Sequence, residues 1–316
     1  MHRQLGIVMD DIAAINPVKD SSFAMLLAAQ RRGWTIHYFQ QRDLFIRDGQ
    51  AWGQGQIVEV MDDTQHWFTA KPAQPLLLGD LPVIFMRKDP PFDMEYIMTT
   101  YLLELAEQAG SWVVNRPQGL RDANEKLFTA QFPDLCPPTL VSRDAKQLKA
   151  FCHEHEHIVV KPVEGMGGQS IFRLSVGDPN INVILETITH NQQRYVMAQR
   201  FIPEIKQGDK RILIVAGQII DYALARIPTG DEFRGNLAVG GRGQCVPLSQ
   251  RDYAIAKALL PRLEAMGLWF VGIDVIGDYL TEVNVTSPTC IRELDKAQGL
   301  DIAGQLMDAI EKRLTA

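Results

Sequence analysis

The sequence predicts an α/β protein in which an open N-terminal α/β domain precedes a second domain made of two α+β halves. Two changes of texture along the chain point there. Through the first third, short β-branched runs alternate with helical patterns, as parallel strands crossed by helices require. After about residue 122 the pattern turns to paired strands, and a glycine-rich segment with little periodicity follows at 227–243. A chain of 316 residues, 46% hydrophobic and 22% charged, has enough apolar material for such cores.

Taken in order, residues 5–9 read as a strand. Ser21-Ser22 cap a helix that buries Phe23, Leu26 and Leu27 and ends at Gly33, and 35–39 is the next strand, a βαβ start. Asp48-Gly49 between two apolar runs predicts a hairpin within 44–60. Residues 83–86 return as a buried strand. This puts Arg87 and Lys88 at its C-terminal edge, where open α/β sheets bind ligands, and makes both candidate anion contacts. A helix over 94–109 and a strand over 112–114 lead to 115–118, which reads as a linker before a domain boundary near 122. Beyond it, strands over 157–160, 170–174, 195–199, 212–215, 218–225 and 269–275 are expected to pair antiparallel with helices outside.

Several function classes are disfavoured. With 38 acidic against 32 basic residues, a net charge of -6 and no block of like charges, a nucleic-acid footprint is not supported. Asp10-Asp11 cuts the first apolar run short, so no signal peptide is expected, and no stretch approaches the roughly 18 apolar residues of a spanning helix. Cys136, Cys152, Cys245 and Cys290 are scattered without a Cys-x-x-Cys pair, which fits reduced thiols in a cytoplasm.

Chemistry concentrates in three places. The run from Lys161 to Ser170 lies between two strands, and Gly165, Gly167 and Gly168 would let backbone N–H groups approach phosphate oxygens closely. Neither the Rossmann nor the P-loop spacing occurs. Lys126, on a helix predicted just past the boundary, gains interest because a cation 4 Å from a phosphate charge is worth roughly 4 kcal/mol at an effective dielectric near 20. Asp274, Glu282 and Asn284 interrupt two apolar strands joined by a Gly-Asp turn. Period two puts Glu282 and Asn284 on one face, and a three-residue turn would bring Asp274 opposite Glu282. Hard oxygen donors of this kind suit Mg²⁺.

Arginines cluster late, at Arg211, Arg226, Arg234, Arg242 and Arg292, several beside glycines or strand ends where a guanidinium can clamp carboxylate or phosphate. The run Ser287 to Arg292 would bring hydroxyls and a guanidinium near a reacting carboxyl. His153 to His157 is better read as a solvated junction than as a metal box. Cys290, with no activating histidine near in sequence, is better read as a structural thiol than as a nucleophile.

Lys126, the 161–170 loop, the glycine-rich segment and Asp274, Glu282 and Asn284 together resemble the ATP-grasp superfamily. Within it the chain is similar, nearly end to end, to the bacterial glutathione synthetase family. The similarity rests on Met9-Asp10, Lys19 to Ser22, Met86 to Asp93, Lys161-Pro162 with Gly165 to Gly168, Arg234-Gly235-Asn236-Leu237, Gly240 to Gly243 and Asn284 to Thr289. Asp11 and Val239 stand where proline and alanine are expected.

The resemblance implies a pre-ATP-grasp domain over 1–122 and an ATP-grasp domain over 123–316, split into 123–200 and 201–316 with a lid at 227–243. It implies ATP contacts at Lys126, Lys161, Gly165, Gly167, Gly168 and Asp209, with Gln199, Arg200, Phe201 and Ile202 as the adenine hinge. Catalytic roles fall on Arg211, Arg226 and Arg234, and Asp274, Glu282 and Asn284 would hold Mg²⁺ or Mn²⁺. Arg87 would meet the γ-glutamyl end of γ-glutamylcysteine, with Ser287, Thr289 and Arg292 on the glycine side. A homotetramer is the implied assembly. An ATP-grasp ligase with other substrates and a nucleotide-binding module without turnover are the alternatives.

Overall fold

The computed structural model describes residues 3–315 apart from 231, 236, 238 and 239. Asn236 and Val239, both named above, therefore lie outside the described residues.

The N-terminal unit is an open sheet. Its strands are β1 (Gln4–Val8), β2 (Thr35–Phe39), β3 (Leu44–Arg47), β4 (Gln50–Val60), β5 (Phe68–Ala70), β6 (Gln74–Leu77), β7 (Val83–Met86) and β8 (Trp112–Val114). They run in the order β3-β4-β2-β1-β7-β8, with β5 and β6 paired to β4. The β2, β1, β7 and β8 ladder is parallel. The β3–β4 hairpin turns at Asp48 and Gly49, both at positive φ (50° and 76°). Helix α1 (Ser21–Arg31) is capped by Asp20, not by the serines: its carboxylate accepts the Phe23 N–H at 2.6 Å. Ser21 and Ser22 lie buried in the first turn, and Ser21 Oγ accepts the Ile291 N–H. After α2 (Met94–Gln108), the expected linker at 115–118 is instead the approach to a third helix, α3 (Pro117–Asp122). Pro117 suits its first turn, where a missing N–H costs nothing.

The central unit is a four-stranded antiparallel sheet of β9 (Thr139–Ser142), β10 (His157–Pro162), β11 (Phe172–Ser175) and β12 (Val196–Arg200), ordered β11-β10-β12-β9. It carries α4 (Ala145–His155) and α5 (Ile181–Ile188). Leu148, Cys152, Ile158, Val160, Leu174, Leu185 and Val196 form a core of their own.

The last unit is a five-stranded antiparallel sheet of β13 (Asp209–Val215), β14 (Gln218–Ile227), β15 (Arg242–Pro247), β16 (Phe270–Ile276) and β17 (Tyr279–Asn284), ordered β15-β14-β13-β16-β17. Helices α6 (Gln250–Ala265), α7 (Ile291–Gln298) and α8 (Ile302–Thr315) complete it. This sheet shares its cores with the N-terminal unit. One cluster joins Leu5, Ile7 and Phe23 to Leu213, Val215 and Leu306, and another joins Ile84 and Val113 to Ile212 and Val271. Helix α8 lies on α1, tied by Arg31–Asp301 (3.0 Å), Arg32–Asp308 (2.8 Å) and the Trp34 Nε1 donation to Glu311 (2.8 Å). Asn115 closes the seam. Its amide nitrogen donates to the carbonyls of Phe270 and Val285 (2.8 and 2.7 Å), and its oxygen accepts the N–H groups of Trp269 and Phe270 (2.7 and 2.9 Å).

The β16–β17 hairpin corrects the turn expected from sequence. Ile276 faces Tyr279, so Gly277-Asp278 is a two-residue turn, which alone would misplace the acidic pair. A register shift lower down restores it: Val275 faces Leu280, whereas Asp274 faces Glu282. Thr281 is the extra residue of a β-bulge, and its hydroxyl donates to the Asp274 carbonyl at 3.1 Å. No helix among the described residues is long and apolar enough to cross a membrane.

Candidate active site

Where the central unit meets the five-stranded sheet, a cleft of about 860 Å³ opens. One wall comes from β10 and the loop after it, with Lys161, Gly165, Gly167 and Gly168. Gln199, Arg200, Phe201 and Ile202 line it as well, together with Asp209, Asp274, Thr281 and Glu282. Gly167 and Gly168 sit at φ of 64° and 80°, a backbone conformation that a side chain would strain and that turns this loop around the cleft. Gln199 donates to Thr139 Oγ1 (3.2 Å), and Arg200 to the Tyr279 hydroxyl (2.9 Å), so this segment is tied to β9 on one side and to β17 on the other.

Lys126 is not on a helix. It occupies a turn in which Asn124 Oδ1 accepts the N–H groups of Lys126 and Leu127 (3.2 and 3.0 Å), ahead of a short 3₁₀ segment, Leu127–Gln131. Its ammonium pairs with Glu282 Oε1 at 2.8 Å and donates to the Gly165 carbonyl, joining β17 to the glycine loop. Burial would lower its pKa, but Glu282 reverses the balance and raises it. Lys161, fully enclosed and donating to the Thr281 carbonyl at 3.2 Å, is shifted down, chiefly by burial. A polyphosphate beside it would supply the counter-charge it lacks.

Behind these lysines lies a buried chain of four charges. Arg211 grips Asp274 with two hydrogen bonds (2.5 and 3.1 Å), while Arg226 spans Asp274 (2.8 Å) and Asp209 (2.5 Å). Burial opposes ionisation of Asp274, yet the two guanidinia hold its carboxyl well below the usual range. Burial wins at Asp209, which is pushed up to about 6 despite Arg226. Among the described residues the buried Asp209 Oδ1 has no hydrogen-bond partner, and Asp209 is one of the residues lining the cleft.

A second cleft of about 820 Å³ adjoins the first, lined by Arg211, Arg226, Asn284, Ser287 and Thr289 among others. Met166, Gly167 and Glu282 belong to both clefts. Arg234 reaches over from the glycine-rich segment, donating to the Gly168 carbonyl at 2.7 Å while Glu232 holds its other nitrogens. Gly235 is required there, since a Cβ would lie 2.2 Å from the Arg226 carbonyl oxygen.

Two arginines read as substrate contacts do not line either cleft. Arg87 is buried beneath the second one, spending its Nε on Ser22 Oγ (3.0 Å) and NH2 on the Pro288 carbonyl (2.8 Å), so it props the loop rather than facing a ligand. Arg292 points to the far side of α7, where it pairs with Asp62 at 2.6 Å. Sequence reasoning missed Glu125, whose Oε1 accepts the N–H groups of Val285 and Thr286 and the Thr286 hydroxyl (2.9, 3.0 and 2.8 Å). Nothing in its local pattern distinguishes it from a surface carboxylate.

The donor set suits a hard cation in part. Among the described residues, Asn284 donates its Nδ2 to the Gly272 carbonyl (3.1 Å), which leaves Oδ1 free; Glu282 Oε2 has no partner; and Asp274 Oδ1 receives one donor.

Comparison with known proteins follows the same division. A family model described as the prokaryotic glutathione synthetase N-terminal domain matches residues 4–121, and one described as the prokaryotic glutathione synthetase ATP-grasp domain matches 125–299. The chain is 57% identical over 313 residues to a glutathione synthetase of Vibrio cholerae, covering 99% of this chain and 98% of the relative. To that of Escherichia coli it is 57% identical over 311 residues, covering 98% of each. Among solved structures, the D-cycloserine synthetase DcsG matches with a TM-score of 0.70 at 14% identity, over 98% of this chain and 99% of that one. The ATP-grasp ligase PsnB, solved with a precursor variant, Mg and ADP, matches with a TM-score of 0.63 at 17% identity, over 100% and 99%. With both halves of its length matched by the two domain models and full-length relatives above half identity, the chain belongs to the prokaryotic glutathione synthetase family.

Proposed function

We propose that this chain is an ATP-dependent ligase that joins γ-glutamylcysteine to glycine, releasing ADP and phosphate. The observation that carries the reading is the shared wall of the two clefts: Met166, Gly167 and Glu282 line both, so a phosphate chain in one cleft ends beside a carboxylate held in the other. Residues 1–122 would form the substrate domain and 123–316 the ATP-grasp domain, hinged at Gln199 to Ile202.

An amide does not form from a carboxylate and an amine at useful rate in water, so the acid must first be activated. The C-terminal carboxylate of γ-glutamylcysteine attacks the γ-phosphorus of ATP; the bond to the bridging oxygen breaks, and ADP leaves with its electron pair. Lys126, Lys161 and the backbone of Gly165 to Gly168 neutralise and orient the phosphates. Glycine's amine then attacks the acyl carbon, and phosphate departs. Arg211 and Arg226 lie where the tetrahedral oxyanion develops and are already oriented by Asp274 and Asp209, so little reorganisation accompanies the charge. Arg234 and the 227–243 segment shield the acyl phosphate from water. Glu282, Asn284 and Asp274 are the residues that would hold Mg²⁺, or Mn²⁺ in its place; the ion supplies further neutralisation of phosphate charge.

The assembly expected is a homotetramer, on the strength of the family resemblance. The described cysteines are unpaired and three of the four are buried, which suits a reducing cytoplasm.

The test is ADP release with both substrates present and with each omitted in turn, the product being identified by mass. Glutathione and ADP in equal amounts, only from the complete mixture, are expected. ATP binding without turnover on this pair, and turnover on another acid and amine, would move the chain to a different ligase specificity.

A further inference from the structure

Five charged side chains line the second cleft: Asp89, Glu125, Arg211, Arg226 and Glu282. Three are committed. The arginines are paired with Asp274 and Asp209, and Glu282 with Lys126. Asp89 is exposed at the rim. Glu125 differs from all of them. Three donors converge on its Oε1, from Val285 N, Thr286 N and Thr286 Oγ1, and its own carbonyl accepts the Val283 N–H at 2.8 Å. The carboxylate is therefore fixed in orientation, while no donor or cation among the described residues meets its Oε2.

A rigid, half-buried carboxylate with one oxygen satisfied and the other free on the wall of a cleft is an acceptor for a cationic donor. Burial, and then the neighbouring Glu282, push its carboxyl above the usual range, so a positive charge beside it would be welcome. Of the groups the proposed reaction brings to this cleft, the triphosphate and the dipeptide's reacting carboxylate are anionic. The substrates bring two ammonium groups, one at the γ-glutamyl end of the dipeptide and one on the incoming amino acid, and only the second has to sit beside the reacting carboxyl.

We infer that Glu125 is the binding residue for the ammonium of the incoming amino acid, its Oε1 locked to the Val285–Thr286 backbone and its Oε2 presented to the substrate. This rests on the ligase reading given above and deepens it. Because the residues flanking that backbone, Asn284 and Ser287, also line the cleft, Glu125 sets the amine's position relative to the acyl group by fixing the same loop. The acceptor is thereby identified as a small zwitterionic amino acid rather than a neutral amine.

Glu125→Gln separates charge from shape, since the amide oxygen can still accept the three donors. Purified enzyme is assayed for ADP release with glycine, and with hydroxylamine as an uncharged nucleophile at neutral pH. For Glu125→Gln the KM for glycine should rise at least tenfold, while the KM for ATP and the hydroxylamine rate stay within about twofold of the wild type. Glu125→Asp, which keeps the charge, should recover part of the glycine affinity. Equal loss with glycine and hydroxylamine in either variant would mean a structural role only and would overturn the inference, as would an unchanged KM for glycine. If Glu125→Gln proves insoluble, the comparison of glycine with hydroxylamine in Glu125→Asp decides in the same way. Absence of hydroxamate and of glutathione from the wild type would instead remove the ligase reading itself.

Discussion

Lys126 Nζ and Glu282 Oε1 meet at 2.8 Å, joining a turn at the start of the ATP-grasp half to a strand more than 150 residues later. Glu282 is the main counter-charge of the buried Lys126 ammonium, strong enough to outweigh the effect of burial on it. Glu282→Gln is expected to lower ADP release by about 10²- to 10³-fold, the usual cost of losing one preorganised electrostatic contact. Raising Mg²⁺ should recover part of the loss; activity within twofold of wild type at every Mg²⁺ concentration would sink the role given to Glu282.

Arg211 and Asp274 form the tightest part of the buried charge chain. Arg211→Ala leaves that carboxylate buried with only Arg226, which should cost about 3–5 kcal/mol of stability and at least about 100-fold in turnover. Urea unfolding at several pH values checks the first part. The wild-type Asp274 has a depressed pKa, so its pairing stabilises the fold above the unfolded value near 3.8 and is lost only in strong acid. Stability lost on mutation should therefore shrink as pH falls toward 4, where the carboxylate left with Arg226 alone takes a proton more readily than the doubly paired one.

Asp295, in α7 and far from the clefts, is pushed up to about 6, chiefly by burial. A raised carboxyl pKa means that the folded state holds a proton the unfolded chain has released, so its contribution is present below the unfolded value of 3.8 and is lost as pH rises through about 6. Asp295→Asn keeps the acceptor for the Ile302 N–H and removes that penalty. With the site only half buried, the expected gain is about 1 kcal/mol at pH 8 after allowing for solvent screening. The gain should vanish at pH 4, and a pH series of urea midpoints reads it directly.

Arg234 fastens the glycine-rich segment to the phosphate loop through the Gly168 carbonyl. Arg234→Ala should admit water to the acyl phosphate, so ADP would exceed glutathione by several-fold under conditions where the wild type gives equal amounts. Equal amounts in the variant would show that closure does not depend on this contact.

Asn115 makes four hydrogen bonds across the seam between the first and last sheets. Asn115→Ala strands buried backbone groups and should cost about 2–4 kcal/mol. The thermal midpoint reports the loss, and turnover per folded molecule should change little.

Much of this architecture is legible in the sequence because it is written in local periods. The βαβ start, the Asp48-Gly49 hairpin and the antiparallel strands of the later units follow from alternation and turn chemistry. The facing of Asp274 and Glu282 was anticipated, but by the wrong device: a bulge at Thr281, not a longer turn, sets it. What stayed hidden depends on partners distant in the chain. Asn115 and Pro117 look like linker residues until the five-stranded sheet takes up the first and a helix starts at the second. Arg87 and Arg292 have the composition of ligand contacts, yet Ser22 and Pro288 claim the first and Asp62 the second. Glu125 carries no local signal at all, since its partners lie 160 and 161 residues away.

The central sheet keeps a core apart from the two clusters that weld the outer units together. Residues of that sheet and of the five-stranded one meet along the first cleft. Separate cores of this kind are expected to unfold on heating as two cooperative units, and a ligand seated between them would contribute free energy to both at once. Occupancy of the cleft would then decide whether the molecule melts as a single body or in succession, and its calorimetric cooperativity would become a reading of how full the cleft is.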